Sequence, residues 1–164
     1  MLKIKLLILL LISFILFSCA KNYQNNNNQK FSISYIGGEF DGLLLRNFLN
    51  SYLKNLNLYD PSSNLELHAS ISHSSNLYIT NIDNTSDREN INTSLSIELK
   101  NNEENCTIYK DEISVSQFYL FASADKFLSN QKAEKKIKKD NTEELVKKLI
   151  RKLNFVEKSC DTNG

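Results

Sequence analysis

The chain has 164 residues, 41% of them hydrophobic, with 20 Lys and Arg against 19 Asp and Glu. That is enough for one core and too close to neutrality for a globally basic nucleic-acid binder. One proline and 4 glycines favour long regular elements over many tight turns. No internal repeat divides the chain.

Lys3 and Lys5 precede an apolar run from Leu6 to Phe17, interrupted only by Ser13, and small Ser18 stands before Cys19. A basic start, a short apolar stretch and a small-residue exit make a secretory signal, shorter than the roughly 20 residues of a membrane-spanning helix. Leu16, Phe17, Ser18 and Cys19 resemble the lipobox of bacterial lipoproteins, although Phe17 is bulkier than usual at its place. The resemblance implies that residues 1–18 are removed and that Cys19 carries palmitate-type acyl chains. At about 0.8 kcal/mol per buried methylene, such chains tether a protein to a membrane without crossing it. Ala20, in place of Asp, resembles lipoprotein cargo sent to the outer membrane and held on its periplasmic side. Loss of Lys3 and Lys5 turns the formal net charge of +1 into −1.

Residues 19–30 then read as the lipidated cysteine and an Asn-rich tether, with Asn25 to Asn28 in a row, too polar to offset its ordering entropy. Mutational bias in the genome explains the asparagines more simply than asparagine chemistry. Residues 31–156 form a single α+β domain and residues 157–164 a tail.

Phe31, Ile33 and Tyr35 alternate with Ser32 and Ser34, which predicts a strand ended by Gly37 and Gly38. From an N-cap at Asp41, Leu44, Leu45, Phe48, Leu49, Tyr52, Leu53 and Leu56 recur at helical spacing until Asn57 and Asp60-Pro61 stop the helix. Leu65, Leu67, Ala69, Ile71, His73, Ser75, Leu77 and Ile79 share one parity. A hairpin at His73 to Asn76 competes with a single long strand, which the unbroken parity favours. After a polar loop from Asn81 to Glu89, Ile91, Thr93, Leu95, Ile97 and Leu99 predict the next strand. Tyr109, Ile113 and Val115 predict the last, with Asp111 marking an edge or bulge.

Ala133, Ile137, Leu145, Leu149 and Leu153, helped by Val146 and Ile150, form a final helical stripe in which Asn141 occupies an apolar place. Asp140-Asn141-Thr142 before Glu143 and Glu144 also fits a cap of a shorter second helix. One helix is favoured, with Glu143 to Lys147 and Glu144 to Lys148 as acid-first pairs on a solvated face. The expected fold is two helices on one face of a roughly four-stranded, mainly antiparallel sheet, in the order strand, helix, three strands, helix. The other face is rich in Ser, Thr, Asn and Glu, wet or set against a polar partner.

Catalysis needs a positioned base, nucleophile or metal, and the chain has no nucleophile elbow, phosphate-cradling glycine loop, HExxH helix or paired-cysteine zinc signature. His68 and His73 fall on opposite parities of one strand and make a poor metal pair. No enzyme, metal or cofactor is expected. A last helix running back along the last strand brings Cys160 near Cys106, and in an oxidising compartment this predicts a disulfide; two free thiols are the alternative.

Three short motifs in this order carry a resemblance over the mature domain: Ser34-Tyr35-Ile36-Gly37-Gly38, the Thr85-Ser86-Asp87-Arg88 loop, and Glu143-Glu144-Leu145-Val146 running to Leu153. With the lipobox, the tether and the Leu45-Arg46-Asn47-Phe48-Leu49 helix, the chain resembles the LPS-assembly lipoprotein LptE family. The resemblance implies a non-catalytic partner of the LptD outer-membrane β-barrel that assists delivery of lipopolysaccharide to the outer leaflet. It makes Arg88 the candidate lipopolysaccharide-binding residue, with Lys100 and Lys110 outside any clear motif. Two rival readings are an auxiliary lipoprotein of a periplasmic lipid-transport ABC system and a structural envelope lipoprotein.

Overall fold

The computed structural model describes residues 29–79, 87–120, 126–156 and 160. Residues 1–18, Cys19, the tether up to residue 28 and Thr85 and Ser86 lie outside the described residues, as does the tail apart from Cys160. The element order is β1 (Ser32–Gly37), α1 (Glu39–Asn55), β2 (Leu65–Ile79), β3 (Asp87–Asn101), β4 (Cys106–Leu120) and α2 (Phe127–Leu153). One sheet has the order β1-β2-β3-β4, with β1 parallel to β2 and the other pairs antiparallel. This is the expected α+β arrangement, and β2 is one strand of 15 residues rather than a hairpin.

The parity of β2 explains the layering. Leu67, Ala69 and Ile71 are buried and sit opposite Leu99, Ile97 and Leu95 of β3. Leu45, Leu49 and Leu53 of α1 and Leu145, Val146, Leu149, Ile150 and Leu153 of α2 close over them. Both helices therefore lie on one face of the sheet. The acid-first pairs on α2 form, Lys147 to Glu143 at 2.7 Å and Lys148 to Glu144 at 3.0 Å. Tyr52 of α1 donates to Glu143 Oε1 at 2.7 Å, which joins the helices at their solvent side.

Four sequence expectations shift. Asp41 lies inside α1, whose N-cap is Gly38, a residue in the left-handed region at φ 113°. A Cβ at Gly38 would lie 2.5 Å from the Ile71 carbonyl oxygen, so this close crossing over β2 demands glycine. Tyr35 is exposed because the register with β2 slips between Ile33 and Ile36, and Ile36 takes the inward place. In β4 the irregularity falls at Ile108, between the pairs Leu99↔Tyr109 and Lys100↔Thr107. Asp111 is in register opposite Ile97 on the helix side, where Lys152 donates to it at 2.6 Å and the Tyr109 hydroxyl at 2.7 Å. Those donors, Lys152 first, hold its carboxyl below the usual range, while burial and Asp111 push Tyr109 up to about 12. Finally, Arg88 lies within β3 and not in a loop.

Several asparagines shape the chain. Asn57 at φ 56° ends α1, with its N–H on the Lys54 carbonyl (3.0 Å) and the Leu58 N–H on Leu53 (2.8 Å), the paired bonds of a Schellman end. Asn105 at φ 53° precedes β4, and the Asn101 side chain accepts the N–H groups of Glu103 (3.0 Å) and Glu104 (3.3 Å) in the β3–β4 turn.

Candidate functional site

Even-numbered residues of β2 face away from the helices, and the register carries their rows across β3 and β4. The central rows are Ser70–Ser96–Glu112, Ser72–Ser94–Ser114 and Ser74–Asn92–Ser116. Short side chains make this face shallow, and Ser116 Oγ donates to Asn92 Oδ1 across strands at 3.0 Å. The end near Gln29 and Val156 carries His68–Glu98–Lys110 and Glu66–Lys100–Thr107. The far end carries Asn76–Asn90–Phe118 and Tyr78–Arg88–Leu120. A flat polar plate thus runs between a charged end and an aromatic end with one cation.

At the far end Arg88 is exposed between Tyr78 and Leu120, and the Tyr78 and Phe118 rings lie 5.9 Å apart. Tyr78, Phe118 and Leu120 are 49%, 60% and 70% exposed, so Arg88 shares its rows with exposed apolar side chains and forms no ion pair among the described residues. Such a surface suits a ligand that is anionic and greasy at once. Lys100 and Lys110 belong to the opposite end, roughly 30–40 Å along a strand from Arg88, and Lys100 lies 3.9 Å from Glu98. The structure does not bring the three cations into one site.

Under the helices lies a second polar group that sequence reading left unassigned. His73 sits on the inward face opposite Thr93, with Nδ1 2.8 Å from Thr93 Oγ1. Asn141, the polar member of the α2 stripe, donates from Nδ2 to Thr93 Oγ1 (3.1 Å) and to the Ile91 carbonyl (3.4 Å). Thr93 Oγ1 thus accepts from Asn141 and shares a hydrogen bond with His73 Nδ1, whose direction follows the imidazole tautomer. Nε2 faces Asp41 Oδ2 at 3.5 Å. Burial is the main force lowering the His73 pKa, Asp41 and Glu134 oppose it and Lys138 adds to it, so the ring is neutral at pH 7. Thr93 is fully buried, which denies a substrate access to its hydroxyl and makes the group a packing device. The signal for it was present, in the shared parity of His73 and Thr93 with the core.

His68 projects to the open face beside Glu66 (3.6 Å) and the Tyr35 ring, so the two histidines are on opposite faces. Cys106 and Cys160 form a disulfide with Cα atoms 6.3 Å apart. Glu104 lies with them, its carboxylate accepting the Cys160 N–H at 3.0 Å, but both sulfurs are spent on each other and offer no metal a thiolate. Gln29 Nε2 donates to the Val156 carbonyl at 3.3 Å, so the described N-terminus and the exit of α2 meet at one end. Among the described residues, no helix is long and apolar enough to cross a membrane.

No protein-family model and no curated protein sequence matches the chain. Solved structures do match. A minor lipoprotein from Acinetobacter baumannii is 14% identical, with a TM-score of 0.57 over 77% of this chain and 90% of its own. The rare lipoprotein B from Shewanella oneidensis is 11% identical, with a TM-score of 0.57 over 76% of this chain and 92% of its own. A Caulobacter crescentus protein assigned as a lipoprotein is 20% identical, with a TM-score of 0.52 over 76% and 87%. The chain shares the fold of these bacterial lipoproteins, two helices laid on one face of a four-stranded mixed sheet.

Proposed function

We propose that this protein is a non-catalytic outer-membrane lipoprotein, anchored through Cys19, that binds and helps assemble an LptD-like β-barrel and assists lipopolysaccharide delivery. The observation that carries the reading is the open sheet face. Three rows of Ser, Asn and a single Glu, free of large side chains, offer a broad shallow surface that can lie against a polar wall such as a barrel interior. The lipoprotein fold and the lipobox at Cys19 support the address, and the LptE-like motifs support the partner.

Affinity purification of the tagged full-length protein from its own envelope tests the partner. Recovery of a large outer-membrane β-barrel is the expected result; recovery of an inner-membrane ABC transporter would replace this reading with that of a transport accessory. For the lipid, Arg88 supplies a planar fork of donors for a phosphate and Tyr78, Phe118 and Leu120 supply apolar contact. Arg88→Glu is expected to weaken lipopolysaccharide binding about tenfold, the loss of one charge-assisted contact. Unchanged affinity in an equilibrium titration would remove Arg88 from the site.

A further inference from the structure

β1 accompanies only part of β2. Its register ends at Gly37↔Ser70, whereas β2 continues to Ile79, and no described strand lies along that outer edge beyond Ser70. The cause is the tight turn at Gly38, which lifts the chain over Ile71 and starts α1 at once. α1 then runs back toward the end of the sheet that holds Phe31 and Tyr59, its first turn placing Asp41 beside His73. Beyond His73, β2 keeps β3 on its inner side and has no described strand on its outer side. At that corner is a cavity of about 550 Å³, lined by Asp41 and Leu44 of α1 and by Glu134, Lys135, Lys138 and Lys139 of α2.

The bare edge is unprotected in composition as well. Ser72 to Ile79 contain no Lys, Arg, Asp, Glu or Pro, and Ser74 to Tyr78 are all exposed. Sheets blunt free edges with charges, prolines or bulges, and the opposite edge does so: β4 carries Lys110, Asp111 and Glu112 and the irregularity at Ile108. An uncharged edge that continues an existing parallel pairing, beside an empty cavity, has the features of a strand-accepting site.

We infer that Ser72–Ile79 accepts an extended segment of the barrel partner as an added strand in line with β1, an inference that rests on the barrel reading above. Eight residues span roughly 27 Å. On one parity the segment carries small polar residues, extending the Ser72–Ser94–Ser114 and Ser74–Asn92–Ser116 rows. On the other it enters the cavity, with an apolar residue against Leu44 and an acidic one toward Lys135 and Lys139, neither of which is ion-paired among the described residues. Lys138 is already held by Glu134 at 2.7 Å.

Amide hydrogen exchange of the full lipidated protein, free and in complex with the co-purified barrel, tests this at single-residue resolution. Alternate amides from Ser72 to Ile79 are expected to slow at least tenfold on binding, while those on the outer edge of β4 keep their rates. A photo-crosslinking p-benzoylphenylalanine in place of Ser75 is expected to map to one contiguous extended segment of the barrel. If the barrel co-purifies and these amides keep their rates, or the crosslink joins two copies of this chain, the added strand is wrong and the barrel reading survives. If no barrel is recovered, both fall together.

Discussion

Replacing Cys160 with Ser is expected to cost about 4 kcal/mol of folding stability, from the loop-entropy relation for a bridge that closes 54 residues of sequence. The bridge ties the start of β4 to the chain beyond α2, so it encloses all of β4 and α2. Most of its effect is a restriction of the unfolded chain. Urea unfolding of the domain therefore reads it twice, as a lower midpoint and as a larger m-value from a more expanded unfolded state. Cys106→Ser and the double variant are expected to match the single one, because removing either sulfur breaks the same bond. A loss below about 1 kcal/mol, or a double variant much weaker than either single, would show that the bridge is not what stabilises this end of the domain.

The second large effect lies at Thr93. Thr93→Val keeps the shape and removes the hydroxyl that joins His73 and Asn141, leaving His73 Nδ1 without its partner while Asn141 Nδ2 keeps only the Ile91 carbonyl. At about 1–3 kcal/mol for an orphaned buried group, the expected loss is about 1–3 kcal/mol. Thr93→Ser, which retains the hydroxyl, is expected to lose much less, and an equal loss from both would shift the cause to packing. The same group confers a pH dependence. His73 is harder to protonate when folded than when unfolded, so its contribution is complete above the unfolded pKa of about 6.5. It is lost as pH falls from there through the lowered folded value. His73→Gln is expected to flatten the fall in unfolding midpoint between pH 7.5 and pH 5; a slope equal to that of the native chain would assign it to other groups.

Long-range order was legible wherever one physical rule acted alone. Unbroken parity over Leu65 to Ile79 was enough to choose a single strand, and spacing by four on α2 was enough to choose one helix through Asn141. Legibility failed where a single residue changes the rule. The slip between Ile33 and Ile36 turns Tyr35 outward, and the one at Ile108 shifts Thr107 and Cys106 out of the parity kept by Tyr109, Asp111 and Ile113. Strand ends were also hidden, because Asp87 to Asn90 and Ser116 to Leu120 are held by pairing with a neighbour and not by their own apolar content. Of the candidate site, Arg88 was visible as a residue, but its company was not. Tyr78 and Leu120 come to it through cross-strand register, information that no segment carries by itself. Asn57 was legible as the stop of the first helix and Asn141 as the polar member of the last stripe, whereas the positive φ of Asn105 and the partners of Asn141 were not.

The parallel pairing of β1 with β2 bears on how the chain assembles. β2, β3 and β4 meet through antiparallel neighbours and form their contacts locally, whereas β1 reaches its partner only after the whole of α1 has crossed back over the sheet. Closing that loop requires the largest entropic outlay of any strand pairing here. The first strand to be synthesised is thus the one whose docking waits on the others. Mutations that loosen Gly38 or α1 act on this final step, delaying completion of the sheet while leaving the three-stranded meander free to form.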